Sequence, residues 1–92
     1  MKEENFEIIN LDLTGMELNY TISRGLADVH AKNILSEPML VAWYDGKKKE
    51  EHPDVQECQR KPGWISYAEG HGGKLRININ RDEYCFIYTD AC

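Results

Sequence analysis

The sequence predicts a two-layer α+β domain in which one amphipathic helix packs on a mostly antiparallel sheet of four to five strands, in the order β-α-β, long loop, β-β-β. Three observations predict it. Ile9, Leu11 and Leu13 alternate with Asn10 and Asp12, the period of a half-buried strand. From Thr21 to Leu35 the apolar side chains Ile22, Leu26 and Val29 recur at helical intervals instead. Beyond residue 74, Leu75, Ile77 and Ile79 alternate with Arg76, Asn78 and Asn80, and Tyr84 to Thr89 supplies a last strand.

The first strand ends at Thr14-Gly15, where glycine tolerates the positive φ of a turn. Thr21 or Ser23 is suited to cap the helix that follows. Ser36-Glu37-Pro38 must end it, because the residue before a proline is pushed out of the helical region. Met39 to Tyr44 is unbroken in its apolarity, which places that strand in the interior of the sheet. Asp45-Gly46 then leaves the core, and residues 46 to 63 form the least regular stretch, a connection of the length that tends to carry function. Trp64 to Glu69 reads as another short strand, Gly70-His71-Gly72-Gly73 as a tight reversal, and Asn80 to Glu83 as a hairpin turn. No repeat, linker or low-complexity tract divides the 92 residues, so they are read as a single domain.

The chain is acidic, with 16 Asp and Glu against 11 Lys and Arg. Such a surface repels a phosphate backbone, so nucleic acid is not the expected partner. The one basic run, Lys47 to Lys49, is offset at once by Glu50 and Glu51. No stretch reaches the ~20 apolar residues that a membrane span needs, and the first ten residues lack the apolar core of a signal peptide. The expectation is a cytoplasmic protein, and three irregularly spaced cysteines, Cys58, Cys85 and Cys92, fit reduced thiols better than a disulfide framework.

Chemically able side chains concentrate between residues 52 and 71. His52, Cys58 and His71 are a candidate metal set, since thiolate and neutral imidazole suit zinc and related divalent ions. Their spacing places no two ligands together locally, and the plainer reading has two loop histidines and a cysteine that serves as a small hydrophobe. Cys58 as a thiolate nucleophile with either histidine as base is the related catalytic idea. Cys58, Trp64, Tyr67 and His71 are the candidates for contact with a ligand. Trp64, which follows Pro62-Gly63, is best suited to a pocket wall, whereas Trp43 belongs to the core. His30, on the helix, reads as a residue of the core boundary.

Lys61-Pro62-Gly63-Trp64, Tyr67-Ala68-Glu69-Gly70-His71-Gly72-Gly73, Ile77-Asn78-Ile79-Asn80 and Tyr84-Cys85-Phe86-Ile87-Tyr88 together resemble a family of small uncharacterised proteins of anaerobic archaea and bacteria. The resemblance extends to Ala42-Trp43-Tyr44-Asp45-Gly46 and to Cys58. It implies a compact α+β domain of unknown function, and it transfers no activity, ligand or catalytic residue.

One helix covers only part of a sheet of this size, so Phe6, Ile8, Tyr84, Phe86 and Tyr88 are expected to leave apolar surface on the uncovered side or at an edge. With apolar surplus and no catalytic constellation, the expected function is a non-catalytic binding or protein-interaction module that forms a homodimer or meets a protein partner. The alternative is a metal- or thiol-dependent site at His52, Cys58 and His71.

Overall fold

The computed structural model describes residues 6–56 and 61–91. Its elements follow the chain as β1 (Glu7–Leu11), α1 (Tyr20–Ile34), β2 (Pro38–Asp45), β3 (Glu50–His52), α2 (Gly63–Gly70), β4 (Leu75–Ile79) and β5 (Tyr84–Asp90). The five strands form one sheet in the order β1-β4-β5-β2-β3. β1 runs parallel to β4, and the other three pairs are antiparallel. The α+β class and the mostly antiparallel sheet are therefore as expected, with a second helix added.

β5 lies at the centre, and its residues Tyr84 to Tyr88 are all buried. A strand covered on both faces needs apolar groups at every position, which explains its lack of alternation. Tyr84, Phe86 and Tyr88 point to the α1 side, where they join Leu75, Ile77 and Ile79 of β4. Cys85 and Ile87 point the other way and pack with Phe6, Ala42, Trp64, Ile65 and Ala68. The unbroken run in β2 has a further cause. Leu40 pairs with Tyr88 and Ala42 with Ile87, so Val41 is an extra residue, a β-bulge. Val41, Ala42 and Tyr44 thereby pack on the α2 side, while Leu40 and Trp43 remain on the α1 side.

α1 is capped by Asn19, whose side chain accepts a 2.8 Å hydrogen bond from the Ile22 amide. The cap therefore precedes Thr21 and Ser23, the residues expected from sequence. A larger correction concerns the buried face. Ser23, Ala27 and Ala31 turn inward at 0% exposure, whereas Ile22 and Val29 are 42% and 59% exposed. The aromatic rings of β5 already fill the space beneath the helix, so only small side chains fit between them and the helix backbone. Two contacts hold this close approach. Tyr88 donates a 2.5 Å hydrogen bond to Asp28 Oδ1, and Asp28 pairs with Arg24 one turn earlier. Tyr20 packs its ring against Trp43 and Phe86 at 4.7 and 5.7 Å.

Residues 63–70 are helical, which corrects the strand expected over Trp64 to Glu69. Trp64, Ile65 and Ala68 are the buried side chains, at the i, i+1, i+4 spacing of one helical face. Gly63 begins the helix in a confined place, where an added Cβ would overlap Val55 O and lie 2.6 Å from Gln56 O. Gly70 to Gly73 is consequently the exit from a helix and not a hairpin turn. Gly72 takes φ +81°, and the amides of His71 and Gly73 both bond to Ala68 O.

With α2 over the second face, the expected apolar exposure is largely absent. Phe6, Tyr84, Phe86 and Tyr88 are buried, and of that group only Ile8 is open, at 48%. On that face the β1–β4 margin carries Asn10 and Asn78, joined by a 3.1 Å side-chain hydrogen bond. Among the described residues, no helix is long and apolar enough to cross a membrane.

Opposite responses are expected at two neighbouring positions of α1. Nothing lies within 4 Å of a Cβ added at Gly25, so Gly25→Ala should stabilise the fold by about 0.5–1 kcal/mol. Ala27→Leu should destabilise it by about 1–3 kcal/mol through overpacking. Urea midpoints of the two variants measure both. Burial, and then the bond to Asp28, push the Tyr88 hydroxyl pKa well above the usual tyrosine value; burial raises that of Tyr84 as well. These protons stabilise the folded state fully below about pH 10, and that stability falls at higher pH as the unfolded tyrosines ionise first. Tyr88→Phe should flatten the fall in urea midpoint across this alkaline range.

Candidate functional site

The structure separates the two described members of the proposed metal set. His52 is on edge strand β3, paired with Trp43, and its ring stacks on that indole at 5.9 Å on the α1 side. His71 follows α2 on the opposite side, with its ring 3.9 Å from that of Tyr67. Its Nδ1 lies 2.8 Å from Tyr67 O. A carbonyl oxygen can only accept, so Nδ1 carries the proton and Nε2 is the basic nitrogen of the neutral ring. Between β3 and β4, the strand that His71 leads into, lie three inter-strand steps of about 4.8 Å each. Metal ligands must converge within about 2.3 Å of one ion, a condition that this placement of the imidazoles does not meet. Cys58 lies outside the described residues. Among those described, no group of three or more His, Cys, Asp or Glu side chains is arranged to hold a metal.

Trp64 does line a cavity. Trp64 is 5% exposed, and its indole stacks on Tyr44 with ring centroids 5.6 Å apart and planes 9° from parallel. The Arg76 guanidinium carbon lies 5.7 Å from the Trp64 ring centroid, in cation–π range. Arg76 Nε donates a 3.0 Å hydrogen bond to Asn78 Oδ1, and its terminal nitrogen is 4.0 Å from the Asp82 carboxylate. Tyr44, Trp64, Arg76 and Asp82, with Glu51, Pro62, Ile65 and Cys85, line an open cleft of about 450 Å³. Tyr67 and His71 stand at the other end of α2 and do not line it.

The cleft follows from strand register. Asn78, Cys85, Tyr44 and Glu51 occupy one row across β4, β5, β2 and β3, so their side chains share a face. Arg76 is two residues before Asn78 and shares that face by the period of the strand. α2 begins over this row, with Trp64 stacked on Tyr44, and Lys61 just ahead of the helix forms a 2.7 Å ion pair with Glu69. Trp64 was legible as a wall from its place after Pro62-Gly63. Tyr44, Glu51, Arg76 and Asp82 were not; the one signal for Arg76 was its position opposite Ile77 in an alternating strand.

A second feature is the outer surface of α1. Ile22, Leu26 and Val29 form a stripe on the side away from Ser23, Ala27 and Ala31, with Leu26 half-buried and the other two exposed. Its spacing was legible, but it was read as the core face.

Comparison with known proteins places this architecture. The crystal structure of AF1514, a novel protein from Archeoglobus fulgidus DSM 4304, superposes with a TM-score of 0.79 at 24% identity, covering 95% of this chain and 96% of that one. At that identity the likeness establishes the fold alone. No curated protein matches. A family profile described as Domain of unknown function (DUF5619) matches residues 6–88, nearly the whole sheet and both helices. The chain belongs to the family of domains of unknown function DUF5619.

Proposed function

We propose that the protein is a non-catalytic interaction module that self-associates through the outward stripe of α1. The single observation behind this reading is the exposure of Ile22 and Val29 beside Leu26 on a helix whose buried face is made of Ser, Ala and Ala. Packing in the core does not require those large side chains, and exposed apolar stripes of this kind lose water when they meet one another.

A second copy is the partner that the charges favour. The chain carries a net charge of -5, yet α1 contains Arg24 and Lys32 against Asp28 alone. The negative excess therefore lies elsewhere, and α1 is the face on which two copies approach with least repulsion. In an antiparallel crossing about a two-fold axis, exposed Glu17 ahead of the helix comes opposite exposed Lys32 of the second copy. The helix dipoles then also run in opposite directions. Gly25 has open space around its Cα, which allows close approach of the backbones. A contact built on one helix face is small, so the association is weak and dynamic.

Sedimentation velocity from about 10 μM to about 1 mM tests this reading. The expected result is a sedimentation coefficient that rises with concentration in the parent protein. Val29→Lys and Ile22→Lys should remove the rise while leaving the melting temperature nearly unchanged, because both sites are exposed. Lys32→Glu should weaken association, and Glu17→Lys combined with it should restore part. A parent protein that stays monomeric over the whole range overturns the proposal, as does association that the lysine variants leave intact.

A further inference from the structure

We infer that the outer edge of β1 accepts an extended segment of another protein as an added strand, one that carries a basic residue opposite Glu7. This surface is separate from the α1 stripe, and the inference does not depend on self-association.

The two edges of the sheet differ. β3 is three residues long, reads Glu50-Glu51-His52 and is followed by Pro53, features by which edge strands resist further pairing. β1 shows only one of them, the carboxylate of Glu7. Its five residues pair with β4 in unbroken register, without proline, lysine or bulge. The Glu7 amide bonds to Lys74 O, and the Asn80 amide bonds to Leu11 O. By the alternation of a parallel ladder, Glu7, Ile9 and Leu11 therefore turn their backbone groups to β4, and Ile8 and Asn10 turn theirs outward. Among the described residues, no strand lies beyond them.

The spacing of these groups selects the occupant. The donor and acceptor of Ile8 recur at Asn10, about 6.7 Å along the strand, a repeat that another extended chain matches. An antiparallel segment exchanges both bonds with each residue. Ile8 is 48% exposed on one face. Ile9 and Leu11 are only half-buried on the other, because α1 packs over β5, β2 and β4. Apolar residues opposite Ile8 and Ile9 cover both faces.

Charge decides that the segment is foreign. Glu7 and Asp12 are exposed at the two ends of the strand, and residues 6–13 contain no cation. A second copy of β1 would bring the same carboxylates and nothing to neutralise them. The cations that flank β4, Lys74 and Arg81, lie on the inner side of β1. Arg81 attracts Asp12 and shares an open groove with it, so Glu7 has the stronger preference for an incoming lysine or arginine.

The experiment selects random peptides of about ten residues, displayed on phage, against the full chain carrying Val29→Lys, which removes the α1 contact. The enriched peptides should combine β-branched or aromatic residues with lysine or arginine and exclude central proline. As synthetic peptides they should bind with a dissociation constant below about 1 mM. In excess they should slow hydrogen exchange at the Ile8 and Asn10 amides at least tenfold, while the Ile9 and Leu11 amides, already bonded to β4, change little. Ile8→Lys should weaken binding tenfold or more, and a fresh selection on Glu7→Lys should yield acidic peptides in place of basic ones. Both side chains are exposed, so the variants keep the fold. The inference is overturned if no peptide is enriched, or if the unaltered edge enriches acidic ones. It is equally overturned if Ile8→Lys binds as well as the parent, or if the Ile8 and Asn10 amides stay unprotected in the complex.

Discussion

The architecture depends on the burial of β5 on both of its faces. Tyr84, Phe86 and Tyr88 fill one side and Cys85 and Ile87 the other, so this strand belongs to two cores at once. Fully burying a large apolar side chain contributes about 1.5–3 kcal/mol, and no other strand concentrates so many such side chains in so few residues. Rings beneath α1 leave no volume for leucine or isoleucine on its inner face, and Ser23, Ala27 and Ala31 are the consequence. Ser23 Oγ is buried there with no hydrogen-bond partner among the described residues.

The same constraint shapes the second face. Cys85 and Ile87 are small enough for a short helix to approach, and Ala68 meets them at 0% exposure. α2 packs chiefly on β2, where the bulge at Val41 brings two consecutive residues to its side. The β1–β4 margin is left without a helix, and beside the exposed Ile8 it carries Asn10, Asn78 and Arg76, linked by hydrogen bonds. The cleft at Trp64 lies where the covered and uncovered parts of this face meet. A single boundary thus has an aromatic wall from α2 on one side and a held cation from β4 on the other.

Much of the fold was legible locally. The alternation of Ile9, Leu11 and Leu13, and of Leu75, Ile77 and Ile79, is a property of a strand with one wet face, and it needs no tertiary information. The turns at Gly15 and at Asn80 follow from backbone preference, since glycine and asparagine tolerate positive φ, and Asn80 adopts it at +50°; Arg81 follows at +64°. Residues 63–70 were harder. Trp, Ile and Tyr favour strands, and eight residues with flanking glycines fit either period. The helix wins because Trp64, Ile65 and Ala68 together close the second core, a gain visible only once β2 and β5 are in place.

The sequence by itself determined the class of fold, the strands β1, β2, β4 and β5 and the long helix α1. These are consequences of short-range periodicity and turn chemistry, which each segment carries alone. Tertiary structure decided which side of α1 faces inward, that β1 pairs in parallel with β4, and that His52 and His71 belong to different faces. It also decided that Trp64 meets Tyr44 and Arg76, residues 20 and 12 positions away in the chain. Each of those outcomes depends on the volume and register supplied by distant strands, and no local pattern encodes the shape of the space that a neighbour leaves.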